Sequence, residues 1–162
     1  MSTLKVGTIQ DHANSNTAIS IDSSGRVTQP AKPYFSYTNA GTSVANGAQT
    51  ILKPDTLVDQ VGGHYSTSTG MFTAPVTGLY LFAGQVKHAD VQSYWYFDHL
   101  DSSNTRISLY NQHQRGSGSN GTTESSGSHI QHMVAGEKMA TGMAHFGSTQ
   151  TVYGYFAGYL VS

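Results

Sequence analysis

The sequence predicts an all-β sandwich, and three observations predict it. Charged residues are only 10% of the chain, while Gly (18) and Tyr (10) are abundant. Sparse charge with many turn formers and aromatics suits strands and tight turns, and suits neither helices nor a disordered chain. The stretch at residues 63–86 runs from a small polar turn into GLYLFAGQV without a break. The closing stretch, TVYGYFAGYLVS, is equally aromatic. Alternation puts Tyr80, Phe82 and Val86 on one face of the first strand, with Leu79, Leu81 and Ala83 on the other. In the closing strand Val152, Phe156 and Leu160 share one face, and Tyr153, Tyr155, Ala157 and Tyr159 the other. A lone antiparallel sheet should show one polar face. Two apolar faces imply a sandwich core on one side and a neighbouring subunit on the other.

Taken in order, residues 1–30 form a separate β arm. Leu4, Val6 and Ile9 suggest a short strand. AISIDSSGRVT is a hairpin in which Ile19 and Ile21 alternate, Asp22-Ser23-Ser24-Gly25 turns and Val27 returns. So few apolar residues cannot hold a hairpin together in water. The arm must therefore pair with copies of itself or with another surface. TQPAKP, residues 28–33, is a linker that its two prolines stiffen toward an extended form.

Residues 34–37 begin the main domain, residues 31–162, with its first strand. Residues 39–49 are turn-rich, and Pro54 favours strand and loop over helix in 51–61. Beyond the central stretch come a strand at 93–100 with aromatics on both faces and a short strand at 106–110. Residues 111–128, NQHQRGSGSNGTTESSGS, form a long surface loop or a hairpin tip, with Gln112, His113, Gln114 and Asn120 as candidate surface-binding residues. Strands at 129–134, 137–146 and 151–161 close the sheets.

Composition also limits function. The net charge is −1, which gives no electrostatic footprint for nucleic acid. Cysteine is absent, so disulfides, thiol catalysis and thiolate metal sites are excluded. No apolar run approaches a membrane span, and the first twenty residues have no signal-peptide pattern. His129 and His132 are three apart, so on a strand they face opposite ways and cannot chelate within one chain. The eight histidines are expected to be ordinary hydrogen-bonded imidazoles. Asp90, Asp98, Asp101 and Glu124 have no calcium-loop order. No G-x-S-x-G elbow and no carboxylate pair suggests catalysis. The expectation is a protein that is not an enzyme and needs no cofactor or metal. The run Tyr94-Trp95-Tyr96-Phe97 fits core and subunit packing better than stacking on sugars.

At the central stretch the chain resembles a family. Tyr65, Phe72 and Gly78-Leu79-Tyr80-Leu81-Phe82, with Ala74-Pro75, match the signature of the globular domain of complement component 1q. Pro54 and Gln60 stand where that family has an aromatic residue and Asn or Asp. The resemblance implies a ten-strand jelly roll of the tumour-necrosis-factor-like superfamily that assembles as a trimer. TLKVGTIQ…AISIDSSGRVT is similar to the lead-in of tailed-phage virion proteins.

Together these readings give an expected role. It is a trimeric, non-enzymatic virion protein, assembled in the host cytoplasm. It is a fibre- or spike-type appendage that contacts a glycan or protein of the host surface. A capsid decoration trimer and a bacterial surface or secreted lectin-like module are the alternatives. Trimer interface and core are expected at Tyr80, Phe82, Tyr153, Tyr155, Phe156 and Tyr159. Contact with other virion proteins is expected through Leu4, Val6, Ile9, Ile19, Ile21 and Val27.

Overall fold

A computed structural model describes residues 5–39, 41–89, 92–115 and 122–162. Among them every regular element is a strand. The arm holds β1 (Thr8–Gln10), β2 (Thr17–Ile21) and β3 (Val27–Thr28), a three-stranded antiparallel sheet in that order. The expected turn forms between β2 and β3. Asp22 Oδ1 accepts the Ser24 and Arg26 amides, each at 2.9 Å, and Gly25 takes a φ of 79° that a residue without Cβ adopts freely. Leu4 lies outside the described residues, and Val6 precedes β1.

The segment between arm and body is a turn, not the extended spacer its prolines suggested. The Lys32 amide donates to Gln29 O at 3.0 Å. Proline fixes only its own φ, and that value is as compatible with a turn as with an extended chain. Two bonds tie the segment to the last strand: Lys32 Nζ donates to Val161 O, and the Leu160 amide to Pro33 O.

The body is two six-stranded antiparallel sheets. The first contains β4 (Tyr34–Thr38), β5 (Thr42–Val44), β7 (Thr56–Val61), β10 (Gly78–Ala89), β13 (Thr122–Met133) and β15 (Gln150–Leu160). Its order is β13-β10-β15-β4-β7, with β5 also on β15. The second contains β6 (Thr50–Ile51), β8 (Tyr65–Ser66), β9 (Met71–Thr73), β11 (Gln92–Leu100), β12 (Arg106–Arg115) and β14 (Lys138–Phe146). Its order is β12-β11-β14-β9-β8, with β6 on β14.

Alternation along each strand delivers one face to the space between the sheets. Phe35 and Tyr37 of β4, Tyr80, Phe82 and Val86 of β10, and Val152 and Phe156 of β15 are buried there. The aromatic residues that carried the family resemblance, Tyr65, Phe72, Tyr80 and Phe82, meet in one cluster. Tyr65 stacks on Phe35 at 5.1 Å, and Phe35 stacks on Phe72 at 4.9 Å. Phe35 meets Phe156 edge-on at 4.9 Å, and Phe72 meets Tyr80 at 5.5 Å. Each such pair contributes about 0.5–1.5 kcal/mol beyond its buried area, so the cluster ties both sheets together.

Two strands run farther than composition indicated. β12 continues through Arg115, and β13 starts at Thr122, so Gln112, His113 and Gln114 lie on a strand and not in a loop. Asn120 lies outside the described residues. The polar extension is held by pairing: residues 122–128 of β13 lie opposite residues 83–89 of β10, and 113–115 of β12 opposite 93–95 of β11. Backbone bonds to a long neighbour sustain a strand whose own side chains would not specify it.

Candidate functional site

The candidate site is the side of the first sheet that faces away from the core. Register places its side chains in cross-strand rows. One row reads Ile130, Leu81, Tyr159, Tyr34 and Val61 across β13, β10, β15, β4 and β7. The next reads Ser128, Ala83, Ala157, Ser36 and Asp59. A third reads Ser126, Gln85, Tyr155, Thr38 and Thr56, and a fourth Glu124, Lys87 and Tyr153. The face is therefore graded, apolar at the arm end and charged at the other. Ile130 is 58% exposed, Tyr159 46% and Tyr153 48%. Large exposed apolar side chains in one continuous row mark a contact surface.

Relief on this face comes from small residues in and beside the second row. Ala83, Ala157 and Gly158 leave a depression of about 140 Å³ between Tyr155 and Tyr159, bordered by Leu81. A hollow flanked by two tyrosines accepts a side chain from an opposing surface. Tyr34 Oη donates to Asp59 Oδ2 at 2.7 Å, a bond that raises the phenol's pKa and fixes its ring in the row. At the polar end Lys87 pairs with Glu124 at 3.0 Å, beside a hollow of about 250 Å³ that Tyr153 and Tyr155 also line.

The six expected interface and core residues divide cleanly. Tyr80, Phe82 and Phe156 lie in the core, and Tyr153, Tyr155 and Tyr159 point away from it. Trp95, Tyr96 and Phe97 are buried, and Tyr94 is half-buried. Sequence reading missed Ile130 and Tyr34, which complete the apolar row. Ile130 sits between two histidines and a glutamine, and only its pairing with Leu81 reveals its role.

Several of the described histidines make side-chain hydrogen bonds. His145 Nε2 donates to Val44 O at 2.7 Å, and His99 Nε2 lies 3.0 Å from Glu137 Oε2. His129 stacks on Tyr110 at 3.9 Å and meets Gln131 Oε1 at 3.2 Å, while His132 is exposed on the other side of β13. Among the described residues no three His, Asp or Glu side chains gather as a metal site would.

The C1q-domain family profile matches residues 34–161. The chain belongs to the C1q-domain family. Domains of this family are generally non-enzymatic binding modules and typically form homotrimers. By structure the chain is similar to the globular domain of zebrafish complement 1qA. The identity is 16% and the TM-score 0.63, over 81% of this chain and 98% of that one. It is also similar to the PRD1 vertex protein (17%, TM-score 0.59, over 80% and 97%). A third likeness is to the Eiger tumour necrosis factor of S. frugiperda (12%, TM-score 0.58, over 81% and 92%). At these identities the likeness fixes the fold, a jelly roll. No curated protein matches the chain by sequence.

Proposed function

We propose that this C1q domain is a homotrimer built on the outward face of the first sheet. In this reading it serves as a non-enzymatic structural protein of a tailed-phage virion, a fibre- or spike-type appendage whose head contacts the host surface. The observation that carries the proposal is the apolar row Ile130–Leu81–Tyr159–Tyr34–Val61. A monomer would leave that row in water, whereas three copies around an axis cover it, at about 25 cal/mol per Å² removed from water.

The virion context is supported by two features. The PRD1 vertex protein, a phage protein, has the same fold. The β arm, whose strands lie within residues 8–28, precedes the family match and would give the head a means of attachment to a particle. Light scattering on the purified chain should give about three times 17.3 kDa. A monodisperse monomer at micromolar concentration removes the trimer. An antibody against the chain should then label purified virions at the tail. Labelling spread over the capsid shell would instead make the protein a decoration trimer, and unlabelled particles would remove the virion role.

A further inference from the structure

The arm carries an apolar face with a direction. Ile9 pairs with Ile19, Ile21 pairs with Val27, and Ile19 and Ile21 are two apart, so all four side chains share one side of the small sheet. The other side carries Thr8, Ser20 and Thr28, with Ser20 Oγ and Thr28 Oγ1 2.6 Å apart. Ile19 is half-buried, and the other three are exposed: Ile9 49%, Ile21 37% and Val27 63%.

That side opens on the same space as the apolar row of the body. Val27, Pro33, Tyr34, Ala157 and Tyr159 line one cleft of about 560 Å³. Ala18, which alternates with Ile19 onto the polar side of the arm, lines a separate cleft with Leu160 and Val76. Val27 therefore brings the edge of the arm's apolar side to the row, and the bonds from Lys32 to Val161 and from Leu160 to Pro33 hold the junction between them.

We propose that this cleft is the receptor for a second copy of the same chain, so that the arm's apolar face is a continuation of the trimer interface. The inference rests on the homotrimer reading above. Tyr34 and Tyr159 form both the wall of the cleft and the middle of the apolar row. A subunit seated on that row stands at the mouth of the cleft and meets Val27, Ile21 and Ile9 across it. Continuity selects a copy of this chain over an unrelated particle protein: any other occupant would have to share the cleft with the neighbouring subunit. The polar side of the arm and its β1 edge are then the parts left for contact with a particle.

The absence of cysteine and the two-sided arm make a clean experiment. The full chain is expressed with a benzophenone amino acid at Val27, and 14N and 15N preparations are mixed, dissociated and reassembled. Irradiation should give mixed-isotope cross-links from Val27 to the body of a neighbour, and the same probe at Ile107, exposed on the second sheet, should give none. In parallel, Val27→Asp should weaken trimer association by tenfold or more, while Ser20→Asp on the opposite side should leave it within about twofold. If light scattering reports a trimer but Val27 cross-links only within its own chain and Val27→Asp associates normally, the inference is overturned and the trimer stands. If the unmodified chain is a monomer, the homotrimer itself fails and the inference with it.

Discussion

The outward faces of the two sheets solve the same problem in opposite ways. On the second sheet, β11 presents Tyr94, Tyr96 and Asp98 outward, and β14 presents Ala140, Gly142 and Ala144 beside them. The small residues let the Tyr96 ring lie flat: a Cβ on Gly142 would overlap it. Arg106 then forks over Asp98 with bonds of 2.6 and 2.7 Å, and its remaining arm reaches Gln49 Oε1 at 3.0 Å. Tyr96 ends 1% exposed without help from another chain. On the first sheet the small residues, Ala83 and Ala157, sit between the large ones, and among the described residues no charged side chain lines the hollow over them. Tyr155 and Tyr159 flank a hollow, and Tyr159 stays 46% exposed. A sheet can thus seal its own outer face by laying a ring across glycine, or leave it for a partner by flanking alanines with upright rings.

Charge should break this comparison most sharply. Tyr159→Asp places a carboxylate on the first sheet's outer face, where an unpaired charge buried in an interface costs about 3–5 kcal/mol. The expected outcome is a folded 17.3 kDa monomer by light scattering, with an unchanged far-ultraviolet circular dichroism spectrum. On the sealed face the consequence inverts. Asp98→Ala strands Arg106, which is partly solvated, so the cost falls below that range, to about 2 kcal/mol. It should lower the denaturation midpoint at fixed protomer concentration while the molecular mass remains that of the assembled protein.

Gly142→Ala sharpens the steric half of the comparison. Pushing the Tyr96 ring off the sheet should cost about 1–2 kcal/mol, and Gly154→Ala, where the added methyl meets only ordinary contacts, should cost less. The smallest effect is alkaline. Burial, aided by the neighbouring Asp98 carboxylate, holds the Tyr96 phenol above its ordinary pKa of 10. A group whose pKa is higher in the folded state contributes its full stability below the unfolded value and loses it as pH rises. Stability should therefore fall above about pH 10, by less than about 1 kcal/mol at pH 10.5 for this group. Urea midpoints across pH 9–11 measure it, and Tyr96→Phe should flatten the decline.

Much of the fold was legible in the residues. Tyr65, Phe72, Gly78, Tyr80 and Phe82 sit at their expected places because an aromatic cluster between two sheets requires large side chains at fixed spacing along paired strands. The Asp22–Gly25 turn was legible because its bonds join residues within four positions of one another. The candidate site was legible in part. Tyr155 and Tyr159 follow from alternation within one strand, whereas Ile130 and Tyr34 become part of the same row only through strands distant in the chain.

The sequence by itself determined which residues alternate, where the chain turns, and that two strands carry apolar side chains on both faces. Those are properties of neighbours along the chain, set by the two-residue period of a strand and by local hydrogen bonds. Only the tertiary structure decided the rest. It carried β12 and β13 through a polar stretch, because pairing with β11 and β10 satisfied backbone groups that no side chain there could direct. It folded the proline segment into a turn and brought the edge of the arm's apolar side to the row on the body. It closed one outer face with Tyr96 over Gly142 and left the other open, because that outcome depends on which residue lies opposite which, and register between strands is fixed by the whole sandwich at once.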